Sequence, residues 1–303
     1  MSKYNLITIL GPTASGKTQV ASNLAFALNA EVISADSRQV YKNMNLGTGK
    51  DYDDYIVNGK QIPYHLIDIH EAGYKYNVFE YQKDFIKVFN QLQARNILPI
   101  LCGGTGMYLE AVLKGYKLLE VPPDIKLREE LESKSMDELI DILKSLKKTH
   151  NVNDFDTKKR AIRAIEIEKF TLKNDDNKVP FPKINPLIIG VKYNRETQRS
   201  RITQRLKQRL ESGMLDEVHT LLKSGIAPDT LIYYGLEYKF ITLHLTGKLT
   251  HDEMFTQLNT AIHQFAKRQM TWFRRMEKNG FNIHWIDGEI AVEKKIDVII
   301  KLM

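Results

Sequence analysis

The sequence contains very little cysteine and no long apolar run. Cys102 is the single cysteine among 303 residues, which excludes a disulfide within the chain and a cysteine-rich zinc site. No stretch of about 18 consecutive apolar residues occurs, so the sequence predicts no membrane-spanning helix. The first strand pattern begins at Leu6, which leaves no room for a signal or transit peptide. These absences predict a cytoplasmic protein with no membrane partner.

The composition is that of a globular protein with an excess of positive charge. Apolar residues make up 43% and charged residues 27%, and the formal net charge is +7. Two basic clusters stand out, Arg195–Arg209 and Lys267–Lys278. Such clusters are compatible with binding to a polyanion, and they are also typical of solvated helix faces. Charge alone therefore does not identify a partner.

Short apolar runs alternate with helical patterns along most of the chain. The strand patterns are Leu6–Leu10, Glu31–Ala35, His65–Ile69, Ile97–Leu101 and Leu187–Val191. This alternation predicts an α/β fold, with a parallel sheet covered by helices on both faces. After the last of these runs we expect helices at about 196–223, 236–246 and 250–276, and a short strand at Ile283–Ile286.

The alternation stops between residues 116 and 185. Charged helical patterns follow Asp124 and extend from Asn153 to Phe170, and the polar stretch from Lys173 to Pro186 indicates a linker. We therefore predict a core made of residues 1–115 and 186–303, with a helical insertion over residues 116–185.

The segment GPTASGKT forms the best-defined motif. It follows an apolar strand pattern and opens a helical one, which is the context of a phosphate-binding loop. Its backbone N–H groups can approach a di- or triphosphate, Lys17 adds a positive charge, and Thr18 offers a hydroxyl to Mg²⁺. The predicted phosphate-binding residues are Gly11, Thr13, Ala14, Ser15, Gly16, Lys17 and Thr18. The loop predicts what is bound and leaves open what is done with it.

Two other strand patterns end in polar residues that should face this loop. Asp36 lies in SADSRQVY, where a magnesium ligand, a helix cap and a general base all fit. Thr105 lies in CGGTGMYL, beside glycines that allow close backbone approach. A Walker-type NTPase carries an acid at such a strand end to hold Mg²⁺, and the run ending at Leu101 has none. Asp68, in HLIDI, fits a supporting role at the site or a buried hydrogen-bonded carboxylate.

Further basic residues have the spacing of nucleic-acid contacts. In AKRQMTWFRR, Arg268 and Trp272 lie one helical turn apart, where a cation could grip a backbone and an aromatic ring could stack a base. A core-packed tryptophan beside a solvated cationic face fits the same pattern. Arg160 and Arg163, three residues apart in the insertion, are compatible with phosphate contacts.

Taken together, these motifs resemble those of the tRNA dimethylallyltransferase family in its short bacterial form. GPTASGKT, SADSRQVY with the following GTGK, HLIDI, GGTGMY, RAIRAIE and AKRQMTWFRR occur in the family's order and span residues 11–275. The resemblance implies a phosphate-loop core like that of a nucleotide kinase, a helical insertion that grips the tRNA anticodon stem-loop, and a monomeric enzyme.

The resemblance also implies a reaction and its site. Dimethylallyl diphosphate would bind to the phosphate loop with Mg²⁺, and N6 of the adenosine beside the anticodon would attack the allylic carbon. Asp36 would be the general base, Thr105 would lie near the bridging oxygen, and Lys17 would hold the departing diphosphate. The residues implied to contact tRNA are Asp36, Ser37, Arg38, Gln39, Thr105, Lys126, Lys159, Arg160, Arg163, Arg268 and Gln269.

The chain departs from the family pattern at two positions. His219, in Glu217-Val218-His219, takes the place of a family arginine that contacts the diphosphate, and a neutral histidine offers one donor instead of a guanidinium fork. Glu237, in Gly235-Leu236-Glu237, replaces a family cation. We therefore expect His219 to bind diphosphate weakly and the tRNA contacts to be adjusted.

Three other functions share part of this pattern. A small-molecule or nucleotide kinase would use the phosphate loop for ATP, but it gives no reason for AKRQMTWFRR. An isopentenyltransferase acting on free adenine nucleotides needs no anticodon clamp. An RNA-binding ATPase would keep the basic faces and hydrolyse ATP. These alternatives differ in the pair of substrates that they consume.

Overall fold

The computed structural model describes residues 3–146, 157–173 and 181–303. The chain divides into two compact units, a larger one comprising Met1–Tyr116 with Pro182–Met303 and a smaller one comprising Lys117–Phe181. The predicted limits of the insertion, 116 and 185, lie close to those of the smaller unit. The start of the helix predicted from Asn153 and most of the predicted linker lie outside the described residues.

A parallel six-stranded sheet forms the centre of the larger unit. Its strands are β1 (Leu6–Leu10), β2 (Glu31–Ser34), β5 (Tyr64–His65), β6 (Pro99–Gly103), β7 (Pro186–Lys192) and β8 (Ile283–Asp287). They are arranged in the order β5-β2-β6-β1-β7-β8. A separate two-stranded antiparallel ribbon consists of β3 (Ile56–Val57) and β4 (Lys60–Gln61). The predicted α/β fold is confirmed.

The helices that the structure describes are α1 (Lys17–Leu28), α2 (Val78–Ala94), α3 (Gly106–Leu113), α4 (Ile125–Glu132), α5 (Met136–Leu146), α6 (Lys158–Lys173), α7 (Arg195–Glu211), α8 (Met214–Lys223), α9 (Pro228–Tyr233), α10 (Leu236–Leu245), α11 (His251–Lys278) and α12 (Val292–Leu302). A one-turn 3₁₀ helix covers Tyr52–Tyr55. None of the described helices combines the length and apolar character needed to cross a membrane.

Alternating side chains of the central strand β1 supply both faces of the sheet. Leu6 and Leu10 belong to one buried cluster, whereas Ile7 and Ile9 belong to another. Since successive strand residues point to opposite faces, the apolar side chains of residues 6–10 need packing partners on both faces of the sheet. This double cover leaves the carboxyl ends of the strands as the open edge of the core.

The sequence-based boundaries were wrong at two places. The long helix predicted at 196–223 is two helices, because Gly213 adopts a left-handed φ of 95° between α7 and α8. The strand predicted at His65–Ile69 ends at His65, since Leu66 and Asp68 have φ values of 62° and 56°, which no strand accommodates. Asp68 accepts a hydrogen bond from the buried Lys50 ammonium, so its role is structural.

The smaller unit has its own apolar core and an internal ion cluster. Leucines of α4 and α5 pack with Ile162 and Ile165 of α6. Glu166, almost fully buried, pairs with Arg128 at 2.8 Å and with Arg163. Because a buried carboxylate is costly without partners, these two arginines are part of what makes the packing of α6 possible.

Candidate functional site

The phosphate-binding loop connects β1 to the first turn of α1. Gly16 lies directly before the helix with a φ of 74°, a conformation that glycine adopts at little cost. At Gly11 a Cβ atom would lie 2.6 Å from the carbonyl oxygen of Val191. Helix α7 supports the loop, because Arg201 Nε donates to the Ala14 carbonyl at 3.0 Å and Gln198 donates to the Thr13 carbonyl at 2.6 Å.

Lys17 and Thr18 begin α1 and face the same cavity. Burial lowers the pKa of Lys17, and the neighbouring Cys102 and Asp36 groups oppose this shift. Burial also raises the pKa of the Cys102 thiol to about 12, so the thiol stays protonated. The helix N-terminus, the lysine and the loop N–H groups together form a site for an anion.

Asp36 lies just beyond the end of β2, and its side chain shapes the turn that follows. One carboxylate oxygen accepts the backbone N–H of Arg38 at 2.9 Å. The backbone N–H of Ser37, the residue between Asp36 and Arg38, donates to Thr105 Oγ1 at 3.1 Å. Thr105 begins α3 after β6, and its own N–H donates to the Ala35 carbonyl at 3.2 Å. The predicted acid and hydroxyl are therefore held together at the ends of two adjacent strands.

Gln269 of α11 ties the phosphate loop to the loop after β6. Its Oε1 accepts the N–H of Thr13 at 2.8 Å, and its Nε2 donates to the Gly104 carbonyl at 2.9 Å. A Cβ at Gly104 would lie 2.5 Å from this amide, so the glycine is required for the contact. Each end of the amide has one partner within the protein, so Gln269 fixes the two loops, and its contact with RNA stays a prediction.

A cavity of about 990 Å³ collects most of the predicted residues of the larger unit. Those that line it are Thr13, Ala14, Gly16, Lys17, Thr18, Asp36, Ser37, Arg38, Gln39, Thr105, Arg268 and Gln269. Trp272 also lines it, and Arg275 stacks on its ring at 3.9 Å from the centroid. The cavity is large enough for a small ligand together with a nucleotide-sized group.

The structure adds three arginines that sequence analysis did not assign to the site. Arg201, Arg205 and Arg209 of α7 all line the cavity. Asp51 pairs with Arg205, and with Arg209 at 2.9 Å. Burial alone would raise the pKa of Asp51, but the two guanidinium groups hold it below its usual range. The four-residue spacing of these arginines, which gives one helical face, was the available signal.

Two further acids line the cavity. Burial, reinforced by Asp51, raises the pKa of Asp54 to about 6. Burial likewise raises the pKa of Glu237, against the opposing effect of Arg209 and Arg205. Glu237 thus faces the arginine pair inside the cavity, although the sequence placed it only near expected RNA contacts.

His219 does not belong to this cavity. It is exposed on α8, whereas Val218 and Leu221 supply the buried face of that helix. His219 lies two residues beyond Glu217, which corresponds to about 200° around the helix axis. The predicted diphosphate contact of His219 is therefore wrong, and the arginines of α7 provide the guanidinium groups at the cavity instead.

Comparison with known proteins identifies the family. The family model described as IPP transferase matches residues 39–276. The tRNA dimethylallyltransferase 2 of Bacteroides fragilis is 60% identical over 299 residues, which are 99% of this chain and 98% of that protein. This chain belongs to the IPP transferase family. The protein of the same name from Phocaeicola vulgatus is 60% identical over 303 residues, covering 100% of this chain and 99% of that protein.

Solved structures of family members have the same fold. The crystal structure of the full-length tRNA isopentenylpyrophosphate transferase from Bacillus halodurans matches with a TM-score of 0.72 and 33% identity, over 99% of this chain and 95% of that chain. A transferase from Staphylococcus epidermidis matches with a TM-score of 0.69 and 29% identity, over 98% and 97% of the two chains. Family membership thus confirms the resemblance predicted from the motifs.

The basic positions predicted in the insertion fall into two groups. Lys126, Lys159 and Arg160 are exposed on α4 and α6. Arg163 instead pairs with Glu166 and donates to the Val121 carbonyl at 2.8 Å. The Arg163 guanidinium therefore stabilises the smaller unit, and its contact with RNA, like those of the three exposed residues, stays a prediction.

The cavity of the larger unit has a donor set that suits a magnesium ion bound mainly by the phosphates of a substrate. Within the described ranges, no group of three or more His, Cys, Asp and Glu side chains could hold a metal ion. Thr18, the predicted metal ligand, nevertheless lines the cavity at the start of α1. Mg²⁺ commonly keeps several waters and is held by substrate phosphates with few protein ligands, which suits this donor set.

Proposed function

We propose that this protein transfers a dimethylallyl group from dimethylallyl diphosphate to N6 of the adenosine at position 37 of tRNA, next to the anticodon, and releases diphosphate. The observation that carries the proposal is the convergence of an anion-binding loop, a carboxylate and a hydroxyl in one cavity of about 990 Å³. The names of the relatives from Bacteroides fragilis and Phocaeicola vulgatus, which are tRNA dimethylallyltransferases, support the choice of substrates.

The donor diphosphate binds to the phosphate loop. The loop N–H groups and Lys17 offer hydrogen bonds and positive charge to the phosphate oxygens. Arg201, Arg205 and Arg209 also line the cavity and add guanidinium groups suited to bidentate phosphate contacts. Thr18 would hold Mg²⁺, which when bound would neutralise negative charge on the diphosphate and so improve it as a leaving group.

The acceptor adenine enters the cavity from the RNA and lies beside Asp36. An adenine within a stacked loop cannot reach a cavity of this kind, so the base must be flipped out of its stack. Ser37 and Arg38 follow Asp36 on the same turn, and Gln39 is fixed by a hydrogen bond from its Nε2 to the Gly49 carbonyl at 3.0 Å. Arg268 on α11 offers a cation to the backbone of the flanking nucleotides, whereas the Trp272 ring packs between Arg275 and Gly106.

The chemistry that these residues support is an alkyl transfer with loss of one proton. N6 forms a bond to the allylic carbon as the bond from that carbon to the bridging oxygen breaks. The alkylated nitrogen becomes cationic and acidic, and the Asp36 carboxylate accepts its proton. The Thr105 hydroxyl donates to the bridging oxygen, where negative charge develops, and such preorganised donors are worth about 3–4 kcal/mol each.

The test is mass spectrometry of an anticodon stem-loop RNA with three successive adenosines, incubated with the protein, Mg²⁺ and dimethylallyl diphosphate. We expect the mass gain of one dimethylallyl group on the RNA. A parallel reaction with ATP alone tests the kinase and ATPase alternatives, and a parallel reaction with free AMP tests the nucleotide-specific transferase. An unmodified RNA with consumption of ATP, or modification of AMP alone, would contradict the proposal.

The matched variant is Asp36→Asn, which keeps the size of the side chain and an acceptor for Arg38 N–H. We expect it to fold, to bind the stem-loop and to transfer no measurable dimethylallyl group. Near wild-type turnover of this variant would remove Asp36 as the base while leaving the assigned reaction intact. The cavity is built from one unit of one chain, which supports action as a monomer, and sedimentation with bound RNA would test it.

A further inference from the structure

A short loop between β2 and the 3₁₀ helix forms one wall of the cavity, and we refer to residues 45–51 as the wall loop. Leu46, Gly47, Thr48, Gly49 and Asp51 of this loop all line the cavity. The loop is stabilised locally, because Gly49 N–H donates to the Leu46 carbonyl at 3.3 Å and Lys50 N–H to the Asn45 carbonyl at 3.1 Å. Its first three N–H groups are not used in these turns.

Those three N–H groups converge on the carboxylate of Glu217 in the first turn of α8. Asn45 N and Leu46 N lie 2.8 and 2.7 Å from Glu217 Oε2, and Gly47 N lies 3.1 Å from Oε1. Successive backbone N–H groups that point into one concavity form an anion-binding nest. In this protein the anion in the nest is a side chain from a helix 170 residues further along the chain.

Tyr238 of α10 completes the attachment. Its hydroxyl donates to Glu217 Oε1 at 2.6 Å. Its ring packs against the wall loop so closely that a Cβ at Gly47 would lie 2.6 Å from the ring carbon Cζ. The carboxylate therefore accepts four hydrogen bonds, three from the wall loop and one from a buried tyrosine, and it joins two helices to that loop.

The other end of the wall loop reaches both halves of the reaction site. The Gly49 carbonyl accepts from Gln39, which follows the turn that begins at Asp36. Asp51 pairs with the guanidinium groups of Arg205 and Arg209. A displacement of the wall loop would therefore move a residue beside the acceptor and two cations that face the diphosphate.

We propose that Glu217 is a positioning residue for the transfer reaction: its carboxylate fills the nest of the wall loop and thereby aligns Gln39, Arg205 and Arg209 around the two substrates. Glu217 does not line the cavity and touches no substrate in this arrangement. An acid in the first turn of α8 also interacts favourably with the helix dipole, but that interaction needs no contact with residues 45–47. The inference rests on the proposed transferase activity.

The test compares Glu217→Ala with the wild-type enzyme in the stem-loop assay, with and without sodium formate. Removing the side chain leaves three converging N–H groups around a space that a small carboxylate can enter. We expect kcat to fall about 10- to 100-fold, the loss typical of a misalignment of about 1 Å, and formate to restore activity in a saturable manner. Sodium chloride at the same ionic strength controls for the salt sensitivity of RNA binding.

Two further variants serve as comparisons for Glu217→Ala. Glu217→Gln fills the same space but places an NH₂ group against donors, so we expect an intermediate kcat and no rescue by formate. Asp216→Ala, on the exposed face of the same helical turn, removes an equal charge without touching the wall loop, so we expect wild-type kcat and no formate effect. Circular dichroism establishes that each variant is folded.

Either of two results would overturn the proposal. One is a folded Glu217→Ala enzyme with wild-type kcat and KM for both substrates, and the other is a loss of activity that formate does not restore at any concentration. If Glu217→Ala does not fold, wild-type kcat in Glu217→Gln overturns the proposal and a reduced kcat with unchanged melting supports it. Failure of the wild-type enzyme itself would instead count against the proposed function.

Discussion

The Thr105 hydroxyl accepts a hydrogen bond from the Ser37 backbone, with 3.1 Å between the nitrogen and Oγ1. A hydroxyl that accepts one bond still has its single proton to donate. In this structure the hydroxyl donates a long hydrogen bond to Ser37, with 3.4 Å between Thr105 Oγ1 and Ser37 Oγ. The turn after β2 thus fixes the oxygen of Thr105 and leaves its proton available for a ligand in the cavity.

We predict that Thr105→Val slows the transfer step much more than Thr105→Ser. Valine keeps the shape but removes the donor, so the single-turnover rate should fall about 100- to 1,000-fold, as for loss of one preorganised donor. Serine keeps the hydroxyl and should stay within about tenfold of wild type, since only the methyl group that restricts its rotamer is lost. Equal rates in the two variants would exclude the hydroxyl as the group that matters.

A second prediction concerns Gln269. Gln269→Ala removes the bonds that join Thr13 N–H to the Gly104 carbonyl, and the two backbone groups lose their partners. We expect a loss of roughly 1–3 kcal/mol in the free energy of unfolding and a higher KM for the diphosphate substrate. Gln264→Ala, at an exposed position of α11, is the matched control and should change neither quantity. Urea denaturation and steady-state kinetics would measure both.

A third prediction follows from the raised pKa of Asp54. Folding moves this pKa from 3.8 to about 6, so the folded protein binds more protons than the unfolded chain between these values. Stability from this group is present below about pH 4 and is lost as the pH rises through 6. Asp54→Asn should therefore be more stable than wild type at pH 7–8 by ~1–2 kcal/mol after allowance for solvent screening.

The measurement for Asp54 is urea denaturation of the variant and the wild type from pH 4 to pH 8. The stability difference should shrink towards zero at the acidic end. Asp53→Asn changes the exposed neighbour and should follow the wild-type curve. A constant difference between Asp54→Asn and wild type across the whole range would show that charge on Asp54 is not the cause.

A fourth prediction concerns the surface of the smaller unit. If Lys159 contacts an RNA phosphate, Lys159→Ala should weaken stem-loop binding and reduce the slope of log K against log salt by about 0.7–0.9. Lys144→Ala removes a lysine that pairs with Asp141 at 3.1 Å on α5 and should leave the slope unchanged. Fluorescence anisotropy at several salt concentrations would distinguish the two variants.

The sequence predicted the strand ends that build the site better than the helices around it. Glycine positions, apolar alternation and the polar residues after β2 and β6 are local signals, and the structure brings Asp36, Thr105 and Lys17 to one cavity as expected. The break at Gly213 was missed because a single glycine inside a helical pattern is often tolerated. Only the backbone conformation decides whether such a glycine ends the helix.

The error at His219 has a different cause. His219 was assigned by its place in a motif, whereas the direction in which it points depends on how α8 packs. Arg163 and Gln269 were assigned as RNA contacts because they match family positions, and the structure adds partners within the protein that are distant in sequence. Sequence spacing defines which helical face a residue occupies, and the tertiary packing decides what that face meets.

The rate at which a thiol reagent labels Cys102 reports how often the site around it becomes accessible. Its thiol is buried in β6 next to Lys17, and its pKa of about 12 keeps it unreactive in the closed protein. A thiol reagent can therefore modify the native enzyme only when β6 or the phosphate loop transiently moves away from the residues that bury the thiol. Because a bound ligand stabilises the closed form, the labelling rate should slow as diphosphate is added, giving a direct measure of occupancy without any introduced probe.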